Sequence, residues 1–125
     1  MTSREKALAL GCSDEAIAEM ARALKRRDMS LSVVESIPEM AREVSAGHPI
    51  VIILGVRSSS VANLETIDVI HAVRERIPVI VVAEEDSLDL ERKARERGVF
   101  YYLVEPLDAA EIEAVIEDTL RYSRH

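Results

Sequence analysis

Strand-like and helix-like patterns alternate five times along this chain of 125 residues. The strand-like runs are short and rich in Val, Ile and Leu, and they cover residues 6–10, 31–34, 50–54, 79–82 and 99–104. Between them, apolar residues recur at spacings of three and four, which is the period of an amphipathic helix. Short connections between alternating strands and helices favour a parallel sheet with helices on both faces. The sequence therefore predicts a single α/β domain over residues 1–125.

Several helix ends are marked by capping residues. Ser36-Ile37-Pro38-Glu39 is typical of a capping box with proline in the first turn, and Asp108 with Glu111 forms a second capping pair. Gly98 is the expected end of a fourth helix over residues 87–97, and a third helix is expected over residues 62–76. The expected buried stripes of the first and last helices are Ile17, Met20, Ala21 and Leu24, and Ile112, Val115, Ile116 and Leu120.

The charge and the cysteine content exclude several classes of protein. The formal net charge is −7 and is spread along the chain, whereas nucleic-acid binding relies on clustered Lys and Arg. A single cysteine excludes an internal disulfide and fits a reducing compartment. No apolar run approaches the roughly 20 residues that a membrane-spanning helix needs. We therefore expect a cytoplasmic protein with neither nucleic acid nor membrane as a partner.

Motifs in the second half resemble those of response regulator receiver domains, the CheY-like modules of two-component systems. They are the run Pro78-Val79-Ile80-Val81-Val82-Ala83, the ending Ala94 to Gly98, and Tyr102-Leu103-Val104-Glu105-Pro106. The resemblance covers nearly the whole chain. It implies a flavodoxin-like, three-layer sandwich with a five-stranded parallel sheet in the order 2-1-3-4-5.

The residues that a receiver uses for phosphorylation are replaced. The resemblance places the Mg²⁺-binding acidic pair on Cys12 and Ser13, the phospho-accepting aspartate on Gly55, the hydroxyl residue on Ala83 and the lysine on Glu105. An alignment shifted by one residue would bring Asp14 to the edge of the site without restoring the pair. Glycine has no nucleophile, and Mg²⁺ is normally held by carboxylates. We expect a pseudo-receiver without phosphorylation, metal, cofactor or enzymatic activity.

Two alternatives concern the same loops. Cys12 precedes a helix and invites comparison with the phosphocysteine carriers of phosphotransferase-system IIB domains. However, the loop after it is acidic, and Ala18 stands where a C-x5-R phosphatase loop would need arginine. In the other alternative, the replaced site binds a small molecule, with Gly11 and Gly55 making room.

The resemblance draws attention to the face formed by the fourth helix, the fifth strand and the fifth helix. Tyr102 matches the family's aromatic switch residue, and Pro106 stands beside its strand. Alternation along the strand predicts Phe100 and Tyr102 on one face and Tyr101 on the other. Charges of opposite sign flank this strand. The fourth helix has Arg92, Lys93, Arg95 and Arg97 against Glu91 and Glu96, and around the fifth helix stand Glu105, Asp108, Glu111, Glu113, Glu117 and Asp118 without a compensating base.

This charge asymmetry favours contact with another protein. Each basic helix could meet the acidic helix of a second copy, giving a homodimer. The leading hypothesis is therefore a signalling module of the two-component type that binds a protein partner, such as a kinase or regulator, without phosphotransfer. Because the chain ends soon after the last helix, we expect its output to be through binding.

Overall fold

The computed structural model describes residues 5–57 and 62–123, and in that part of the chain five strands alternate with five helices. Their bounds are β1 Lys6–Leu10, α1 Asp14–Lys25, β2 Ser30–Val34, α2 Ile37–Ser45, β3 Pro49–Val56, α3 Glu65–Val73, β4 Val79–Ala83, α4 Leu88–Glu96, β5 Tyr101–Val104 and α5 Ala109–Ser123. All neighbouring strands are parallel, in the order β2-β1-β3-β4-β5. The predicted fold class and strand order are confirmed.

Two buried layers hold the helices on the sheet. One layer joins the sheet to α1 and α5, and the other joins it to α2, α3 and α4. The predicted stripe of α5 is fully buried. In α1, by contrast, Ile17 and Ala21 are only half-buried, and Ala16 and Ala23 take the inner positions. These two small side chains let α1 approach both the sheet and α5, so the buried face is rotated from the predicted one.

The predicted capping residues act at the helix starts. The Ser36 hydroxyl accepts a hydrogen bond from the backbone N–H of Glu39 at 3.2 Å, and the Asp108 carboxylate accepts one from that of Glu111 at 2.9 Å. The side chain of Glu39 reaches back to the backbone N–H of Glu35 rather than to that of Ser36. After the C-terminal end of α4, Gly98 has a φ of +80°, a left-handed conformation that favours glycine.

The third helix is shorter than the predicted span of residues 62–76. Its backbone becomes extended at Arg74, whose guanidinium donates to the carbonyl of Pro49 at 2.6 Å. This contact with the start of β3 turns the chain toward β4 before the helical pattern of the sequence has ended. No helix in the described part of the chain is both long and apolar enough to span a membrane.

The parallel register gathers the strand ends at one edge. Leu10 of β1 lies opposite Leu54 of β3, and Val56 of β3 lies opposite Ala83 of β4. The loop after β1 therefore lies beside Gly55, and β5 continues directly into Glu105. This edge contains the positions singled out from the sequence.

Candidate functional site

The carboxyl edge of the sheet brings all the replaced positions together. In open α/β sheets, ligands bind outside the carboxyl ends of the strands. Here the hydroxyl of Ser13 is hydrogen-bonded to Glu105, the backbone N–H of Glu105 donates to the carbonyl of Ala83 at 2.9 Å, and Cys12 lies against Gly55. The sequence-predicted site is thus one cluster in space.

Gly55 stands where there is no room for a side chain. A Cβ atom at this position would lie 2.3 Å from the carbonyl oxygen of Gly11 and 2.6 Å from the Cα of Cys12. Gly11 has a φ of +78°, a left-handed conformation that turns the loop after β1. The loop backbone occupies the space beside Gly55, so the geometry there gives no support to the expectation that Gly11 and Gly55 make room for a ligand.

Glu105 is tied to the start of α1. The Ser13 hydroxyl donates toward both carboxylate oxygens of Glu105, each at 3.1 Å, and accepts from the backbone N–H of Ala16 at 3.1 Å. Ser13 is only 7% exposed and is the N-cap of α1. A carboxylate is favoured beside a helix N-terminus, where the backbone dipoles present positive charge. Glu105, at the position where receivers have a lysine, therefore supports the N-terminus of α1 by holding its capping residue, Ser13.

Cys12 has the environment of an inert thiol. Its Sγ lies 3.7 Å from the carbonyl oxygen of Ile53. Burial, followed by the negative charge of Glu105, raises the pKa of this thiol to about 12, although the Arg57 guanidinium and a backbone hydrogen bond from Gly55 act in the opposite direction. The nucleophile in thiol chemistry is the thiolate, which such a pKa suppresses at neutral pH. The geometry gives no support to the phosphocysteine alternative.

The residues at this edge do not fit Mg²⁺. Within residues 5–57 and 62–123, no three His, Cys, Asp or Glu side chains are grouped so that they could hold a metal ion. Asp14, the residue that a shifted alignment would bring to the site, is exposed in the first turn of α1. Octahedral oxygen ligation of Mg²⁺ relies on carboxylates, and the nearby carboxylate of Glu105 is held by Ser13.

The side chain of Tyr102 is turned into the protein. It is 8% exposed and belongs to the buried layer beneath α4. Its buried hydroxyl has no hydrogen-bond partner among the residues that the structure describes. Burial, followed by the charges of Glu91 and Asp86, raises its pKa. Tyr102 therefore presents little surface to a partner.

Tyr101 of β5 and Phe100, which precedes the strand, lie on the α5 side. Tyr101 donates to the carboxylate of Asp118 at 2.5 Å, and this hydrogen bond is the main reason why the tyrosine pKa is raised. Phe100 contacts the rings of Tyr101 and Tyr122, with centroids 5.4 and 5.0 Å apart. The prediction that Phe100 shares a face with Tyr102 is wrong, because Phe100 precedes β5 and strand alternation does not extend to it.

Many of the charges that the sequence predicts at the interaction face are paired within the chain. Glu113 binds Arg26 and Arg27 after α1, and Glu117 binds Arg27 at 3.0 Å. In α4, Arg95 pairs with Glu91 at 2.8 Å and Lys93 with Asp89 at 3.0 Å, while Arg97 binds Asp68 of α3. The predicted acidic helix is therefore partly neutralised by α1, a contact between residues distant in sequence.

Several exposed side chains remain at the face formed by α4, β5 and α5. Arg92 and Glu111 make no ion pair within the part of the chain that the structure describes. Leu88, the first residue of α4, is 79% exposed, which is unusual for a large apolar side chain. Pro106 is also exposed. The sequence predicts a loop at Ser58-Ser59-Ser60, and these serines lie outside the described residues.

Residues 13–117 match the family model described as response regulator receiver domain. Two curated relatives are both described as DNA-binding transcriptional regulator NtrC. The one from Proteus hauseri is 26% identical over 103 residues, covering 82% of this chain and 22% of the relative. The one from Azospirillum brasilense is 30% identical over 101 residues, covering 81% and 21%. The chain thus spans about a fifth of these relatives.

Solved structures show the same fold. A CheY-like receiver domain protein from Methanospirillum hungatei JF-1 has a TM-score of 0.80 at 13% identity, with 98% of each chain covered. An orphan response regulator of H. pylori has a TM-score of 0.77 at 20% identity, covering 95% of this chain and 100% of that one. At these identities the likeness concerns the fold alone.

Proposed function

The chain belongs to the response regulator receiver family, and we propose on that premise that it acts in two-component signalling without being phosphorylated. The observation that carries the proposal is the contact between Gly55 and the loop after β1. Aspartyl phosphate needs a carboxylate nucleophile. The backbone of Gly11 and Cys12 lies in the space that such a side chain would need.

The hydrogen bond between Ser13 and Glu105 supports the same proposal. A phosphoryl group at this edge would face the carboxylate of Glu105 instead of a lysine, and like charges repel. The carboxylate is held by the buried Ser13 hydroxyl, which also caps α1. Accommodating a phosphoryl group would therefore mean breaking this contact as well as moving the loop.

We propose that the domain works by binding a signalling protein, such as a kinase or another regulator. The surface proposed for this contact contains Leu88, Arg92 and Arg95 of α4, Tyr101 and Pro106 at β5, and Glu111 of α5. Exposure of Leu88 and the unpaired state of Arg92 and Glu111 within the described residues support it. Arginine and tyrosine, here Arg92, Arg95 and Tyr101, are enriched at energetically important interface positions.

The interaction is tested with a double variant, Leu88→Ser with Arg92→Glu. We expect it to lose a kinase or regulator that the wild-type domain binds, measured by calorimetry with the purified pair. Val73→Ser is the matched control, because Val73 is an exposed apolar residue on α3. Acetyl phosphate should leave the affinity unchanged. Binding that depends on acetyl phosphate, or that survives the double variant, would contradict the proposal.

A homodimer through the same face is a second candidate. Arg92 and Glu111 have opposite signs and lie on the two helices that flank β5, so a two-fold contact could pair each with the other. Sedimentation velocity of the wild type should show a dimer, and an Arg92→Glu, Arg95→Glu variant should sediment as a monomer. A wild-type monomer, or a dimer unchanged by the charge reversal, would end this candidate.

A further inference from the structure

We infer that a pocket at the amino edge of the sheet binds a small anion that carries a planar aromatic ring, of the chemical class of a mononucleotide. The pocket has a volume of about 750 Å³, within the range of small-ligand sites. It lies between the start of β3, the segment joining α3 to β4, Phe100 and the end of α5. This is the edge opposite the replaced phosphorylation site.

The inner wall of the pocket is apolar and aromatic. Ile50, Ile77 and Pro78 line it from the sheet side, and Phe100 lies beside them. The ring of Tyr122 is 5.0 Å from that of Phe100 and is tilted by 42°. Because Tyr122 is 47% exposed, much of its surface is open to a ligand. Aromatic faces of this kind favour a planar ring by stacking.

The polar part of the lining is basic, although the chain as a whole is acidic. Among the described residues, three arginines, Arg74, Arg76 and Arg121, line the pocket against one carboxylate, that of Asp118. Asp118 already accepts the hydroxyl hydrogen of Tyr101 at 2.5 Å and lies 3.6 Å from the guanidinium of Arg121. In a chain with a net charge of −7, an excess of arginine around this pocket favours an anion.

The arginines differ in how free they are to bind. Arg74 is held by its 2.6 Å hydrogen bond to the Pro49 carbonyl and contributes a fixed positive charge. Arg76 is exposed and makes no ion pair within residues 5–57 and 62–123, while its carbonyl accepts from the Tyr122 hydroxyl at 3.4 Å. Guanidinium groups bind phosphate or carboxylate oxygens in a two-pronged manner. Arg76 and Arg121 are therefore the proposed anion-binding residues, with Tyr122 holding the ring.

The test is a titration of the domain with AMP, followed through backbone amide chemical shifts. We expect saturable shifts centred on residues 50, 76–78, 100 and 121–123. Adenosine and inorganic phosphate supply the ring and the anion separately, and each should bind about tenfold or more weakly. Carboxylate and phosphate anions are distinguished by repeating the titration with benzoate.

Variants connect the shifts to the pocket. Arg76→Glu with Arg121→Glu should weaken AMP binding by about tenfold or more, and Tyr122→Leu should weaken binding of adenosine. Arg42→Glu is the matched control, because Arg42 is an exposed arginine on α2 that lines neither the pocket nor the proposed protein-binding surface, and this variant should bind AMP like the wild type. Circular dichroism confirms that each variant is folded. No saturable shift at millimolar AMP, or an affinity unchanged by the double charge reversal, would overturn the inference.

Discussion

Replacing Gly55 with alanine should destabilise the domain by about 3 kcal/mol, the upper end of the range for inserting a methyl group into a packed site. The new Cβ would lie 2.3 Å from the carbonyl oxygen of Gly11. Its neighbours are backbone atoms, which cannot rotate away as the end of a flexible side chain can. Gly55 also lies inside β3, opposite Val82 of β4, so the strand cannot withdraw without disturbing its pairing.

The assay is urea unfolding followed by far-UV circular dichroism, together with a thermal melt. At about 4 °C per kcal/mol for a domain of this size, the melting temperature should fall by about 12 °C. Gly47→Ala is the matched control. An alanine there has no atom within 4 Å of its Cβ, but it inherits a φ of +78°, which costs about 1–2 kcal/mol.

This pair of glycines separates steric from conformational effects. Gly55 carries the steric cost, and Gly47 carries only the cost of a left-handed backbone. If Gly55→Ala were no less stable than Gly47→Ala, the loop after β1 would not occupy the space above β3. The reasoning about the replaced site would then be refuted.

Further predictions concern the polar side chains of Tyr102, Tyr101 and Cys12. Tyr102→Phe should leave stability unchanged or raise it by about 1 kcal/mol, because it removes a buried hydroxyl without a partner in the described part of the chain; a loss of stability would contradict this. Tyr101→Phe, measured in the same urea series, should cost about 1 kcal/mol through the lost bond to Asp118, and no cost would mean that the bond contributes nothing. Cys12 should react with iodoacetamide at pH 8 about 1000-fold more slowly than in the unfolded chain, since its pKa rises from 9.0 to about 12; equal rates would exclude the buried thiol. Because the pKa of Cys12 is higher in the folded state than in the unfolded state, the contribution of this thiol to the free energy of unfolding should be complete below pH 9 and should decline as the pH rises toward 12.

Much of the fold follows from local patterns in the sequence. The apolar runs and the capping residues Ser36 and Asp108 predict the elements and several of their starts. The resemblance to receivers adds the strand order. The length of α3 could not be predicted in this way, because it depends on the contact of Arg74 with Pro49, 25 residues away in sequence.

The candidate site, like the fold, could be predicted from the sequence only in part. Which positions meet at the carboxyl edge was predictable, because the ends of parallel strands lie at one edge of a sheet. The contact between Ser13 and Glu105 was not, because 92 residues separate them and neither pattern alone names a partner. The sequence does indicate one of the two partners, because a serine before a predicted helix is typical of an N-cap, but it does not indicate that Glu105 is the other.

The ion pairs and the pocket at the amino edge depend on contacts between residues that are distant in sequence. Glu113 belongs to a series of acidic residues that predicts an exposed acidic helix face, yet its carboxylate forms ion pairs with Arg26 and Arg27. The pocket beside Tyr122 draws its arginines and rings from separate segments. No local motif marks it, so only the folded arrangement brings it into view.

The most direct test of the central claim is the response of the wild-type domain to phosphorylation conditions. Backbone amide shifts are recorded with Mg²⁺ alone, with acetyl phosphate and Mg²⁺, and with beryllofluoride and Mg²⁺. A receiver that works without phosphorylation should show no change at residues 11–14 and 55–57 in any of these samples. A Mg²⁺-dependent shift centred on those residues would contradict the account.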